Sequence, residues 1–355
     1  MRLLNLFGFG DTAILLTRSF RRLGVDCDAM FSSRAFQTQG PKWTKKYPEL
    51  DHGIYTWDSS NLQDPRPVAQ LMKFCRQYDM LIAHPPSSTY AWMTGTPYCT
   101  WDGGSGNFTF DSRSISRKRD IYTHEMSRRS YKHAHYNFMN DIDVYYNAWP
   151  QMKWHHDRAG YMPLPVDTDL FKPMDTQPNE QFTIYIPTRM EIMNKGLHLI
   201  LQGLKSFTTE YPHTSIKITR YGSDVPVMEH LIEQLELDDY IEWVPVVPKQ
   251  TFAQLLNHAD VVIDQLSRGA VGGVTWQALA CETPAICAVH HPWYTEQLGT
   301  KAPILNAWTP DMLAYHLADV YEDRIGHMPM REYIQEHFHP DNVARKMLHI
   351  LEEEQ

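Results

Sequence analysis

The stretch YMPLPVDTDLFKP, residues 161–173, followed after a short apolar run by IPTRMEIMNKG, residues 186–196, decides how this chain reads. The first part is rich in Pro and Asp, the composition of a linker between domains. FTIYIP reads as a strand, and beyond it come a loop holding Arg189 and a helix expected to open with Lys195 and Gly196. Arg offers a planar fork of donors, Lys a compact charge, and a helix N-terminus its unpaired N–H groups. Two cations on one strand-to-helix loop therefore suit a diphosphate. The segment predicts a domain border at residues 165 and 166, with a diphosphate-binding domain beyond it.

Outward from there, the C-terminal half repeats one grammar: FTIYIP, SIKITRYG, YIEWVP, DVVIDQ and PAICAV are apolar runs separated by helical stretches. Each ends in a loop containing Gly or Pro, and ligands of open α/β sheets bind at the carboxyl ends of strands. The N-terminal half alternates in the same way. LLNLF is followed by a Gly turn and an expected helix from Asp11 to Leu23, with Ile14, Leu15, Phe20 and Leu23 on its apolar face. DCDAMF, DMLIAH, PYCTW and DIDVYYNA follow as expected buried strands. Such alternation implies parallel sheets covered by helices on both faces. HPDNVARKMLHILEEEQ closes the chain with Val343, Met347, Ile350 and Leu351 at helical spacing.

At 355 residues the chain has room for two domains with separate cores. Its 43% hydrophobic and 21% charged residues are those of a globular protein, and a net charge of -9 argues against general nucleic-acid binding. Cys27, Cys75, Cys99, Cys281 and Cys287 show no CxxC spacing, and an odd number does not suit a disulfide framework, so a cytoplasmic location is expected. Glycines and Asp11 interrupt the opening MRLLNLFGFGD too early for a signal peptide. No apolar run reaches the roughly 18 residues of a membrane-spanning helix, so contact with a lipid would be peripheral.

A second constellation is DQLSRGAVGGVTWQALACETPAI, residues 264–286. A buried strand is expected to end at Asp264, and a helix to begin near Gly273. Amides freed of side-chain crowding by Gly272 and Gly273 would cradle a phosphate.

These features resemble the retaining glycosyltransferases of the GT-B fold, in particular the GT4, glycogen-synthase-like, family. Its linker typically reads "IPNPVDTELFKP", matched here by Pro163, Pro165, Val166, Asp167, Thr168, Leu170, Phe171 and Pro173. The family carries an Arg and a Lys-Gly at the positions of Arg189 and Lys195-Gly196. The resemblance is strong from about residue 141 onward and general before it. It implies two Rossmann-like parallel-sheet domains facing an interdomain cleft: an acceptor-side domain 1–165, with helix 340–355 crossing back onto it, and a donor domain 166–339. It implies transfer of a sugar from a nucleotide-diphosphate donor without a metal or other cofactor. Arg189 and Lys195 would serve catalysis, and Tyr221, Gly222, Val244 and Pro245 would lie around the base and ribose. Trp243 reads as core, with stacking on the base as the alternative.

Here the chain departs from the pattern. The family writes the second constellation "EGFGLVLLEAMAxGxPVI", whose glutamates fall at Gly269 and Gln277. The first contacts the transferred sugar and the second the ribose. Gln277 keeps a neutral hydrogen-bonding group and Gly269 only backbone. Asp264 is expected either to supply the missing carboxylate or to serve as a strand-end or capping residue.

In the N-terminal half, Gly8 and Gly10 follow the first strand, where their amides could approach a phosphate or the acceptor. With Ala13 they fit G-x-G-x-x-A, the looser dinucleotide fingerprint, and Ser32-Ser33-Arg34 would suit a 2′-phosphate. His84 in LIAHPP and Asp102 in TWDGGSG are the groups expected to face the transferred sugar. Arg113, Arg117, Lys118, Arg119, Arg128, Arg129 and Lys132, interleaved with Tyr122 and Tyr131, read as a surface for an anionic acceptor or as a solvated face. His133, His135, His155, His156, His290 and His291 lack a convincing set of metal-binding partners, and neither Asp141-x-Asp143 nor Asp167-x-Asp169 reads as a metal-binding pair. The function expected is a glycosyltransferase; the alternatives are a noncatalytic nucleotide-sugar binder and an NADP-dependent enzyme.

Overall fold

The computed structural model describes residues 1–8, 11–33, 47, 50, 52–57, 65–84, 87–102, 118–140 and 158–353. The chain divides into two compact units: Met1–Pro165 with Pro340–Gln355, and Val166–His339. The border falls inside the linker motif.

The first unit contains β1 (Arg2–Leu6), α1 (Thr12–Arg22), β2 (Asp26–Ser32), β3 (Ile54–Trp57), α2 (Pro65–Cys75), β4 (Met80–Ala83), α3 (Ser88–Thr94), β5 (Tyr98–Asp102), α4 (Lys118–His133), β6 (Tyr136–Met139) and β7 (Ala159–Tyr161). The sheet runs β3-β2-β1-β4-β5-β6-β7, and every described pairing is parallel. Successive residues of β1 serve opposite faces: Leu3 packs with Phe20 and Leu16, Leu4 and Leu6 with Leu71 and Ala91. Burial on both faces explains why these strands read as near-continuous apolar runs.

The second unit holds β8 (Phe182–Ile186), α5 (Ile192–Lys195), α6 (Leu197–Glu210), β9 (Thr214–Thr219), α7 (Val225–Gln234), β10 (Ile241–Val244), α8 (Lys249–His258), β11 (Val261–Ile263), α9 (Gly273–Ala280), β12 (Ala285–Cys287), α10 (His291–Leu298), β13 (Leu305–Asn306), α11 (Pro310–Tyr321) and α12 (Met330–His337). Its sheet order is β10-β9-β8-β11-β12-β13, again parallel. The last helix, α13 (Pro340–Glu353), returns to the first unit. There Val343, Met347 and Leu351 join the Leu3–Phe20 cluster, and Asp341 meets Arg22 at 2.7 Å.

Strand order reverses between β1 and β4 in the first sheet and between β8 and β11 in the second. At such a reversal the neighbouring connections leave in opposite directions and open a crevice at the carboxyl ends. β3, β6, β7 and β13 are additional to the strands expected from sequence, and the expected strand DIDVYYNA lies outside the described residues. Trp243, expected in the core, is 37% exposed on the edge strand β10.

The linker motif is clamped as structure. Val166 N–H donates to Phe338 O at 2.9 Å, Leu170 N–H to Asp167 Oδ1 at 3.3 Å, and the buried Phe171 packs edge-on against Phe252. The Arg331 guanidinium donates to Phe171 O at 3.1 Å, Ala280 O at 2.6 Å and Thr168 O at 3.3 Å. Hydrogen bonds from a charged donor contribute about 1.5–3 kcal/mol. Arg331→Ala is accordingly expected to lower unfolding stability by about 2–3 kcal/mol, read as an earlier denaturant midpoint; an unchanged midpoint would remove the clamp from the stability account.

Candidate functional site

At the carboxyl edge of the second sheet, the loops after β8, β9 and β11 are stitched into one surface. Met190 N–H donates to Tyr221 O at 2.8 Å, Asp224 N–H to Met190 O at 3.0 Å, and Ile192 N–H to Asp224 Oδ2 at 2.8 Å. Gly222 is required for this approach, because its φ is +130° and a Cβ there would stand 2.6 Å from both the N and O of Met190. Tyr221 donates its hydroxyl to Pro187 O at 3.2 Å. Burial raises the Tyr221 pKa while Lys195 and Arg189 act to lower it, so the phenol lies in the field of both cations.

Lys195 does not open a helix, as expected from sequence; it closes the single turn α5. Gly196 then takes the left-handed conformation, φ +64°, and passes the chain into α6. The glycine serves two ends at once, as C-cap of α5 and N-cap of α6. Leu266 N–H donates to Lys195 O at 3.1 Å and Ser267 Oγ to Asn194 O at 2.9 Å, which ties this turn to the loop after β11.

The Lys195 ammonium meets Asp264 Oδ1 at 2.9 Å, with the carboxylate fully buried and the lysine side chain 19% exposed. Asp264 Oδ2 accepts from Thr275 Oγ1 at 3.1 Å. Burial alone would lower the Lys195 pKa, but the charge and hydrogen bond of Asp264 outweigh it and the net shift is upward. The carboxylate is thus spent on holding Lys195 charged and in place, and it faces no solvent. Arg189 differs: its side chain is 55% exposed and pairs with Glu191 at 3.2 Å. Exposed pairs are worth about 0–1 kcal/mol, so an incoming anion can exchange with Glu191, whereas the Lys195–Asp264 pair is lasting architecture.

Gly272 caps α9 with no side-chain hydrogen bond, and a Cβ on it would stand 2.7 Å from Asp264 Oδ2. Gly273 is exposed, and a Cβ on it would have nothing within 4 Å. Gln265, which sequence reasoning passed over, is 1% exposed and shapes the turn. Its Oε1 accepts from Ser267 N at 2.8 Å and Arg268 N at 2.9 Å, and its Nε2 donates to Ala270 O at 3.1 Å and Ala288 O at 2.7 Å. Gly269 has φ +72°, and its hypothetical Cβ would lie 2.7 Å from Cη2 of Trp308. A glutamate here would meet both a strained backbone and an indole. Gln277 is half-buried on α9, while Val244, buried, and Pro245, exposed, sit beyond β9, joined through Arg220 N–H to Val244 O at 2.9 Å.

The reversal in the first sheet carries Gly8 and His84. The imidazole is 2% exposed, 5.6 Å from the Trp101 ring, and its Nε2 lies 3.3 Å from where a Cβ on Gly8 would stand. Burial pushes its pKa from 6.5 down to about 4, so it is neutral at pH 7. Asp102 ends β5 opposite Met139. Its side chain, like Gly10, Arg34, Arg113, Arg117, Asp141, Asp143, His155 and His156, lies outside the described residues, as do the side chains of Lys118, Arg119 and Tyr122.

Arg128, Arg129, Lys132 and His133 line a cavity of about 500 Å³ with Trp92 and Glu125. They occupy the end of α4 that leads into β6, at the amino edge of the sheet and away from His84. Tyr131 is 2% exposed and belongs to the interior, so it does not interleave with those cations at the surface. Among the described residues no group of three or more His, Cys, Asp or Glu side chains is placed to hold a metal ion, and no helix is long and apolar enough to cross a membrane. The five cysteines are buried and free.

Residues 168–337, nearly the whole second unit, match the family model described as glycosyl transferases group 1. The fold is GT-B. HepE of Anabaena, crystallised with UDP, with UDP and glucose, and with UDP-glucose, superimposes at a TM-score of 0.72. In its UDP-glucose complex the identity is 14%, over 99% of this chain and 100% of that one. Sucrose-phosphate synthase of Thermosynechococcus elongatus follows at a TM-score of 0.69, 14% identity and 99% of each chain. The lipopolysaccharide outer core galactosyltransferase WaaB gives 0.65 and 14% over 100% of each chain. No curated protein matches the sequence.

Two measurements check this geometry. Gly269→Glu is expected to cost about 1–3 kcal/mol of stability through its left-handed backbone alone, and an unchanged denaturant midpoint would show that the loop can re-form around a carboxylate. Because the folded His84 pKa lies below its unfolded value, the unfolded chain binds the extra proton, and stability falls as pH drops from about 6.5 to about 4. The loss attributable to His84 is about 3 kcal/mol across that window. His84→Phe should flatten that part of the stability profile; identical profiles would contradict the buried neutral imidazole.

Proposed function

We propose that the chain is a retaining glycosyltransferase that moves a sugar from a nucleotide-diphosphate donor to an acceptor hydroxyl without a metal. The observation that carries the reading is the cluster at the β8–β11 reversal: an exposed Arg189, a Lys195 held charged by buried Asp264, and the uncapped amides that begin α9. As the bond between sugar and diphosphate breaks, negative charge builds on the leaving group. Donors already in position stabilise that charge without reorganising. Arg189 would leave Glu191 for the diphosphate, Lys195 would use the ammonium hydrogens not given to Asp264, and Gly273 would let a phosphate approach the backbone.

Tyr221-Gly222 and Val244-Pro245 are assigned to the nucleoside. The bound nucleotides of HepE support a nucleotide-sugar donor. Retention is proposed on the likeness of the linker and of the Arg189 to Gly196 segment to GT4 enzymes, in which the leaving phosphate is thought to help deprotonate the acceptor and no protein nucleophile is required. A noncatalytic nucleotide-sugar binder is the second reading, favoured by the closure of position 269 to a carboxylate.

Thermal unfolding against UDP, GDP, ADP, their sugar conjugates and NADP(H) tests the donor class. A ligand at 100 times its Kd adds about 2.7 kcal/mol. The expected result is a shift with one nucleoside diphosphate that Arg189→Ala abolishes. A shift with NADP(H) alone would overturn the reading, as would none with any diphosphate. Removing a charged partner costs about 2–5 kcal/mol, so turnover in Arg189→Ala should fall at least about thirtyfold. Donor bound but neither transferred nor hydrolysed would favour the binder.

A further inference from the structure

We infer that Trp308 forms the sugar-side wall of the donor site and that its indole stacks on the ring of the sugar carried by the diphosphate. This rests on the donor reading given under Proposed function and adds a specificity-determining residue to it.

β11, β12 and β13 lie side by side and parallel, so the loops that follow them leave the same carboxyl edge. Ala307 N–H donates to Cys287 O at 3.3 Å and Val289 N–H to Asn306 Oδ1 at 3.0 Å, which fastens the loop bearing Trp308 to its neighbour. His290 N–H donates to Gly269 O at 3.3 Å and joins both to the loop after β11. Against that framework Trp308 leaves 38% of its surface exposed. The edge of its indole rests on Gly269, just before the Gly272-Gly273 start of α9.

Two observations turn this placement into a recognition surface. The first is that Trp308 keeps 38% of its surface open, apolar area that a ligand with its own apolar face would cover. The C–H groups of a pyranose ring supply one. The second observation concerns direction. Tyr221, Gly222, Val244 and Pro245 lie toward β9 and β10, on one side of the cations, and Trp308 lies toward β12 and β13 on the other. A nucleotide sugar carries its nucleoside at one end of the diphosphate and its sugar at the other, so a donor bound in extended form with its nucleoside on the first side brings its sugar to the second. Gly269 keeps the space clear, since any Cβ there would displace the indole.

The test titrates the full chain, by calorimetry, with the nucleoside diphosphate it binds best among UDP, GDP and ADP and with a hexose conjugate of the same nucleotide. Wild type, Trp308→Ala and Trp308→Phe are compared. The expected result for Trp308→Ala is diphosphate affinity within about twofold of wild type and conjugate affinity about tenfold weaker, about 1.4 kcal/mol, with most of the loss recovered by Trp308→Phe. Equal losses for diphosphate and conjugate would overturn the inference by making Trp308 a support of the loop. No loss for either would also overturn it. If wild type binds none of the diphosphates, the donor reading fails and this inference falls with it.

Discussion

The ion pair between Lys195 and Asp264 is the constraint from which the rest of the candidate site follows. A carboxylate at 0% exposure at the end of a central strand is costly unless a cation and further donors surround it. Lys195 supplies the cation and Thr275 a donor, and Gly272 approaches so closely that no side chain fits. The requirement runs both ways: burial alone would lower the Lys195 pKa, and Asp264 keeps it raised. The pair joins the loops after β8 and β11 across the point where strand order reverses. A crevice that any open α/β sheet provides thereby becomes a site with a fixed positive group.

The first unit uses the same topology with an uncharged group at the reversal. At its reversal a neutral imidazole is enclosed between Gly8 and Trp101. The strand end that carries the ring is fastened by the His84 N–H, which donates to Leu6 O at 3.2 Å. The strand past the reversal thus ends in the neutral imidazole of His84 in the first sheet and in the buried carboxylate of Asp264 in the second.

Much of this was readable in the sequence because the signals are local. Apolar runs between helical stretches gave the two parallel sheets, and the residues from Pro163 to Pro173 marked the border between the units. Arg189, Lys195, Gly272 and Gly273 were singled out because their chemistry is particular to their residue types. What escaped depends on backbone conformation and packing that residue type alone does not report. Gln265 looks like an ordinary polar residue after a strand, yet its amide bridges four backbone groups of two loops. Trp308 gains its meaning from Gly269, well before it in the chain. Trp243 was read as core because a strand Trp normally is, but membership of an edge strand is set by sheet order, which no local pattern reports. The sequence opens a helix at Lys195, two residues before the start of α6 at Leu197, because Gly196 both ends α5 and begins α6.

A double-mutant cycle measures directly whether Asp264 acts on a diphosphate through Lys195. Nucleoside diphosphate affinity is compared in wild type, Lys195→Met, Asp264→Asn and the double variant, each shown to be folded. If the pair works as one unit, Asp264→Asn loses nearly as much affinity as Lys195→Met, and the double variant loses no more than the worse single. Losses that simply add, or an Asp264→Asn variant that binds as wild type does, would contradict it.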